Sequence, residues 1–289
     1  MLSEFSKKRT LLLLLAFSFL LVLWVFVRDQ DGSVLSTSVS VFSNYIQTKN
    51  EREFKKSLET RYGDFGLYIV DLNTQKEYSF NKNQVFYAAS LYKLPIAVAT
   101  LRQIQTGDLA PYAKVEFLES DHIKGSGTVS DSEYGTFFNV TQLLTKLIRD
   151  SDNSAQVMLE RTLDRNVITQ AFNLSRGANS TFYSINESAP EEIGNYIIKL
   201  IGGDYLNGKN KEKLLELMSS TSFDNRISPY LESGIFSHKI GSWPQDGSWH
   251  DCGLVQNDKL IVVCLMSKNT TFEEFLKASR STAEFINSL

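Results

Sequence analysis

Three short motifs in this chain combine residue types that perform acyl transfer. Ser90 and Lys93 stand three apart in Ala89-Ser90-Leu91-Tyr92-Lys93, so on a helix they share a face, one turn apart. A serine hydroxyl attacks a carbonyl only when a base takes its proton, and a desolvated neutral lysine can be that base. A helix beginning near Ser90 would surround the hydroxyl with unpaired backbone N–H groups that favour negative charge. Pro95 removes a donor early in that helix, so its first turn is expected to be irregular or displaced. The second motif is Ser151-Asp152-Asn153, and the third is Lys239-Ile240-Gly241-Ser242. Taken singly, the second reads as a turn and the third as a strand end. Taken together and in this order, they read as one site.

The elements that must position these residues are visible in the hydropathy pattern. Residues 41–60 carry apolar positions at a helical period, closed by Arg61-Tyr62-Gly63-Asp64. Phe65–Leu72 reads as a strand and Glu77–Phe80 as its hairpin partner. The Ser90 helix follows and ends at Gly107, and residues 108–140 look irregular. Val140–Arg149 is amphipathic, and the Ser151 triplet separates it from a second helix that runs to about Asp164. A turn-rich stretch over Asn173–Asn186 leads through Ser188-Ala189-Pro190 into another helix, and a further one occupies about 209–219. Gly234–Gly241, Ser248–Gln256 and Lys259–Met266 read as three successive strands, closed by a helix over Thr271–Asn287. This order predicts an α/β domain with one sheet built from both ends of the chain and a helical subdomain inserted between them.

On these motifs the sequence resembles the serine β-lactamases and penicillin-binding D,D-peptidases, most closely the class A β-lactamases. The likeness covers nearly everything after about residue 41, including the Gly125-Ser126-Gly127 loop and His238-Lys239 running towards His250-Asp251-Cys252-Gly253. It implies a three-layer αβα sandwich with a mainly antiparallel five-stranded sheet. It also implies roles. Ser90 would be acylated, with Lys93 accepting its proton, and Ser151 would relay a proton to the leaving nitrogen with Lys239 beside it. Asn153 would hold the substrate's side-chain amide, and the backbone N–H groups of Ser90 and Ser242, the latter following Gly241, would form the oxyanion hole. Neither a cofactor nor a metal is implied, and His122, His238 and His250 are scattered.

Two departures from the family stand out. Ile240 occupies the place where the family usually has Thr or Ser to help bind a substrate carboxylate, leaving Ser242 as a substitute. The family's deacylating glutamate sits on a long loop after the second motif, and here the path from Asn173 to Pro190 looks too short for it. A residue count puts Glu187 near that place, but Asn186-Glu187-Ser188-Ala189-Pro190 better matches the run into the next helix, which would make Glu187 a first-turn carboxylate.

Composition bounds the rest. The chain has 289 residues and a formal net charge of −3, and no basic cluster with interleaved aromatics follows residue 30, which argues against nucleic acid as a partner. Residues 11–27 are an unbroken apolar run behind Lys7-Lys8-Arg9. They read as a signal anchor within residues 1–30 that leaves the catalytic domain outside the cell membrane, a cleaved signal peptide being the alternative. Residues 31–40 read as a linker and 41–289 as the domain. Cys252 and Cys264 are too few for a disulfide framework. A two-residue turn at Asn257-Asp258 would pair Gln256 with Lys259 and send the two sulfurs to opposite faces as buried free thiols, whereas a one-residue shift would reverse this. The expected partner is a small-molecule β-lactam or a peptidoglycan-derived peptide. Three functions fit: a β-lactamase, a D,D-peptidase or transpeptidase, and a non-catalytic cell-wall-binding module.

Overall fold

A computed structural model describes residues 48–174, 182–203 and 205–289. The expected anchor over residues 11–27 and linker over 31–40 lie outside the described residues. Among the described residues no helix is long and apolar enough to cross a membrane. From Phe54 to Leu289 the chain forms one compact unit.

Its centre is a five-stranded antiparallel sheet made from the strands β1 (Asp64–Asp71), β2 (Lys76–Phe80), β7 (Ile235–Trp243), β8 (Ser248–Gln256) and β9 (Leu260–Lys268), in the order β2-β1-β9-β8-β7. The first hairpin and the last three strands therefore meet at β1 and β9, as the sequence predicted. Both faces of the sheet are covered, and the period-2 alternation of strand residues decides which core each joins. Phe65, Leu67, Ile69, Val263 and Leu265 face the core beneath helix α9 (Phe272–Asn287), where Phe54 of helix α1 (48–59) stacks on Phe285 with ring centroids 4.6 Å apart. Val262, Cys264, Met266, Cys252 and Leu254 face the opposite core, shared with the helical part of the chain.

That helical part comprises α2 (Lys93–Thr106), α3 (Val140–Arg149), α4 (Asn153–Thr162), α5 (Arg165–Asn173), the single turn α6 (Phe182–Ile185), α7 (Pro190–Gly202) and α8 (Gly208–Ser219). Two short ladders brace it: β3 (Phe86–Tyr87) with β6 (Glu187–Ser188), and β4 (Lys114–Glu116) with β5 (Phe137–Asn139). The β4–β5 ladder lies inside the stretch expected to be irregular.

Two sequence expectations change. The α-helix does not begin at Ser90 but at Lys93, after a 3₁₀ turn over Ala89–Tyr92. Pro95 thus falls in the first turn, where its missing N–H has no intrahelical partner to lose. The cysteines are not free thiols: Cys252 and Cys264 form a disulfide between directly opposed positions of β8 and β9. Gln256 pairs with Leu260 rather than Lys259, because the loop holds three residues, closed by the Asn257 N–H donating to the Lys259 carbonyl at 3.0 Å. One extra loop residue moves the pairing by one and brings both sulfurs to the same face.

Candidate active site

Ser90, Lys93, Ser151, Asn153, Ile240 and Ser242 line one cavity of about 860 Å³. Lys239 lies immediately behind it, buried, and Gly241 forms the strand backbone between two lining residues. The structure therefore brings together Ser90, Lys93, Ser151, Asn153, Lys239, Gly241 and Ser242, the seven residues for which the resemblance implies a role.

A continuous hydrogen-bond chain links the reactive groups. Lys93 Nζ stands 3.2 Å from Ser90 Oγ and 3.2 Å from Ser151 Oγ, and Lys239 Nζ is 3.0 Å from the same Ser151 Oγ. Lys93 Nζ also donates to the Ser151 carbonyl at 2.5 Å and to Asn153 Oδ1 at 2.6 Å. A neutral amine has two N–H bonds and one lone pair. In that form the two short contacts would use both N–H bonds, and the lone pair would be left to accept from one serine hydroxyl. The surroundings shift the balance towards that neutral form. Burial lowers the Lys93 pKa to about 8, against the opposing pull of the Asp152 and Glu160 carboxylates. Lys239 is pushed further down, by complete burial first and then by the positive charges of Lys93 and Arg226.

Backbone strain marks the same places. Ala89, beside Ser90, has φ +51° and Ser151 has φ +53°, left-handed conformations that cost such residues of order 1 kcal/mol or more. The surrounding structure holds them there. Asp152 caps α4 by accepting from the Ala155 N–H at 2.8 Å, and its other oxygen takes the N–H groups of Thr128 and Val129 at 2.7 and 2.8 Å. The middle residue of the Ser-Asp-Asn triplet is thus structural: it pins the Gly125–Gly127 loop to the start of α4. At Gly127 (φ +96°) a Cβ would fall 2.1 Å from that carboxylate, so no other residue fits. At Gly241 a Cβ would meet the Ala88 carbonyl at 2.7 Å, so glycine lets β7 close on the turn that carries Ser90.

Several residues that sequence reasoning missed hold the site. Arg226 is buried and donates to the carbonyls of Gly241, at 2.8 Å, and His250, and to Ser242 Oγ at 2.6 Å. Its guanidinium lies over the rings of Trp249, Phe272 and Phe275 at 6.0, 5.7 and 5.5 Å, and burial lowers its pKa to about 10, leaving it charged at neutral pH. Asp251 places it by accepting from the Ile227 N–H at 3.1 Å while bonding His238 Nδ1 at 2.6 Å. His250 must donate from Nε2 to the Tyr87 carbonyl, 2.7 Å away, since a carbonyl only accepts. Burial lowers its pKa to about 4, so it is a neutral tie between β8 and β3. Nothing local in the sequence marks Arg226, and His250 enters only through the family likeness. In sequence the triplet reads as a turn between helices, which leaves the capping role of Asp152 unassigned.

Glu187 lies in β6, opposite Tyr87, and is not a first-turn helix residue; the acids of that turn are Glu191 and Glu192. It is absent from the cavity lining, which among the described residues contains no Asp or Glu. From Arg165 to Asn186 the sequence has no acidic residue at all. Besides Asp152, the carboxylate within electrostatic reach of Lys93 is Glu160. Its own pKa is raised by burial, and Gln156, which lines the cavity, donates to it at 3.0 Å. At the mouth, Ile123 and Trp243 are both exposed apolar side chains, and Trp243 leans on Tyr87 with ring centroids 5.5 Å apart.

A layered α/β fold with this Ser-Lys-Ser-Lys constellation defines a member of the serine β-lactamase and penicillin-binding superfamily. The sequence model of the beta-lactamase enzyme family matches residues 49–289, and the chain belongs to that family. It is similar to β-lactamase VEB-1 of Pseudomonas aeruginosa, 23% identical over 266 residues that cover 84% of this chain and 87% of that one. It is also similar to β-lactamase SME-1 of Serratia marcescens, 23% identical over 221 residues, with 71% and 75% covered. Among solved structures, PBP-A superposes with a TM-score of 0.73 at 20% identity, covering 84% of this chain and 97% of that one. A β-lactamase from Sphaerobacter thermophilus gives 0.73 at 19% identity, with 83% and 97% covered.

Proposed function

We propose that this protein is a serine acyl-transfer hydrolase that opens β-lactams, or related amides and esters, through an acyl-enzyme at Ser90 that deacylates slowly. The observation that carries the reading is the unbroken chain from Ser90 Oγ through Lys93 Nζ and Ser151 Oγ to Lys239 Nζ. Neutral Lys93 takes the Ser90 proton as Oγ attacks the carbonyl. The oxyanion that forms is held by the backbone N–H groups of Ser90 and Ser242, a device in which one donor is worth roughly 3–4 kcal/mol. As the C–N bond breaks, the Ser151 hydroxyl gives its proton to the departing nitrogen, and is reprotonated from the lysines on either side. Arg226, buried and charged, suits a substrate carrying a carboxylate, and with its partner Ser242 it offers what the hydroxyl missing at Ile240 would supply. Asn153, held by Lys93 and donating to the Lys124 carbonyl at 3.2 Å, lines the wall where a substrate amide would lie.

Slow deacylation is supported by the acid-free stretch from Arg165 to Asn186 and by Glu187 lying outside the cavity lining. One solved relative, a variant of PBP-A, was captured as an acyl-enzyme complex with penicillin G. The second reading, a D,D-peptidase or transpeptidase on peptidoglycan peptides, draws on the same slow step. Anchoring through residues 11–27 would put the domain outside the cytoplasmic membrane, where a disulfide such as Cys252–Cys264 persists.

Intact-mass spectrometry with a fluorescent penicillin tests the proposal. The expected result is a stoichiometric adduct on the wild type, slow return to free protein, and no adduct on Ser90→Ala. Undiminished labelling of Ser90→Ala would overturn the assignment of the nucleophile. Fast hydrolysis with no trapped adduct would overturn slow deacylation.

A further inference from the structure

An oxyanion donor is one end of a peptide group, and what holds the other end sets its direction. The Ser90 N–H belongs to the Ala89–Ser90 peptide, whose carbonyl is the Ala89 oxygen. Asn186 Nδ2 donates to that oxygen at 3.1 Å, across 97 residues of chain. The assignment of the amide is fixed by chemistry, because a carbonyl only accepts and the nitrogen end must face it. Asn186 is tied to the same turn a second time, its own carbonyl accepting from the Ala88 N–H at 2.8 Å. It achieves both contacts with φ +55°, a conformation that asparagine tolerates better than most residues. Its Oδ1 is buried without a partner among the described residues, so the side chain is placed by its nitrogen end alone. The second donor peptide, Gly241–Ser242, is held in the same way: the Gly241 carbonyl accepts from Arg226 at 2.8 Å.

We infer that Asn186 is a positioning residue for the oxyanion hole, aiming and polarising the Ser90 N–H through the Ala89 carbonyl, as Arg226 does for Ser242 through Gly241. The inference rests on the reading of Ser90 as nucleophile with its own N–H as an oxyanion donor. Two effects act together. A hydrogen bond accepted at a peptide's oxygen strengthens the bond donated from its nitrogen, by roughly 10–30% in condensed-phase estimates. The bond also holds Ala89 in its left-handed conformation, without which the peptide would turn and the N–H would leave the pocket.

Two variants and two measurements test this. Asn186→Gly removes the side chain and keeps the backbone conformation available; Asn186→Asp keeps the shape but replaces the donor with an acceptor. For Asn186→Gly the acylation rate constant with fluorescent penicillin should fall about tenfold at saturation, a fraction of the 10²–10³ lost when a donor is removed outright, with half-saturation unchanged. The Ser90 amide ¹⁵N resonance of the free protein should move upfield. For Asn186→Asp the rate relative to wild type should recover as the pH falls, because a protonated carboxyl donates again. A purely structural role would give no such recovery. An unmoved Ser90 resonance in Asn186→Gly, or in Asn186→Asp at neutral pH should the glycine variant not fold, would overturn the inference. Should no penicillin label the wild type, the reading of function fails, while the Ser90 resonance still decides whether Asn186 governs that peptide.

Discussion

If neutral Lys93 is the base for acylation, the reaction carries its titration as a signature. The ammonium of Lys93 loses its proton at about 8 instead of the ordinary 10.5, with burial as the leading cause. A lysine is an active base only when neutral, so the rate must rise with pH. With half the groups neutral near pH 8 and about one in a hundred at pH 6, acylation should quicken roughly 50-fold between those values. The neighbouring carboxylates help decide where the inflection falls. Glu160 favours the charged form, so Glu160→Gln should lower the inflection below 8. The assay is stopped-flow acylation by a fluorescent penicillin across pH, comparing the shapes of the profiles and not their heights. A rate that is flat from pH 6 to 8, or an inflection that Glu160→Gln leaves in place, would show that Lys93 is not the base.

Two further outcomes follow from the geometry. Replacing both Cys252 and Cys264 with alanine opens a closed loop of sequence separation 12, which should cost about 3 kcal/mol and lower Tm by roughly 6–12 °C; equal melting with and without the bridge would show that it contributes nothing. Glu187→Gln should change the lifetime of the acyl-enzyme, read by intact mass, by less than about twofold, whereas a general base lost would lengthen it about 10²–10⁴-fold.

The fold was legible because its strands alternate cleanly and its helices announce their starts. β1, β8 and β9 fell within a residue or two of their expected limits, and the lysine of the third motif stands on β7 as predicted. Register was the weak point. Asn257, Asp258 and Lys259 can close a hairpin with two loop residues or three, and the choice decides whether two sulfurs face each other or point apart. Local pattern cannot make that choice; the packing of Cys252 and Cys264 into one apolar core does. The start of α2 was misplaced for a related reason. Ser90 lies in a turn whose left-handed Ala89 is imposed from outside, by Asn186 and by the close approach of Gly241, and no propensity scale contains such a constraint.

The residues that carry out the chemistry and the residues that hold them thus differ in how they can be found. Ser90 with Lys93, and Ser151 with Asn153, reveal themselves because the proposed acyl transfer would need them within a turn of each other. Asn186, Arg226 and His250 act across 97, 15 and 163 residues of chain, and each bonds a backbone carbonyl, a partner that every residue possesses and no sequence marks. The same contrast appears in their energetics. Burying Lys93, Lys239 and Arg226 together opposes folding, and left-handed Ala89 and Ser151 oppose it further. Substitutions that relieved this tension would be expected to stabilise the domain and slow the reaction. A stretch that departs from good local structure on every count, flanked by a sheet that departs on none, is therefore itself a signal of function, and it is one that only the folded chain displays.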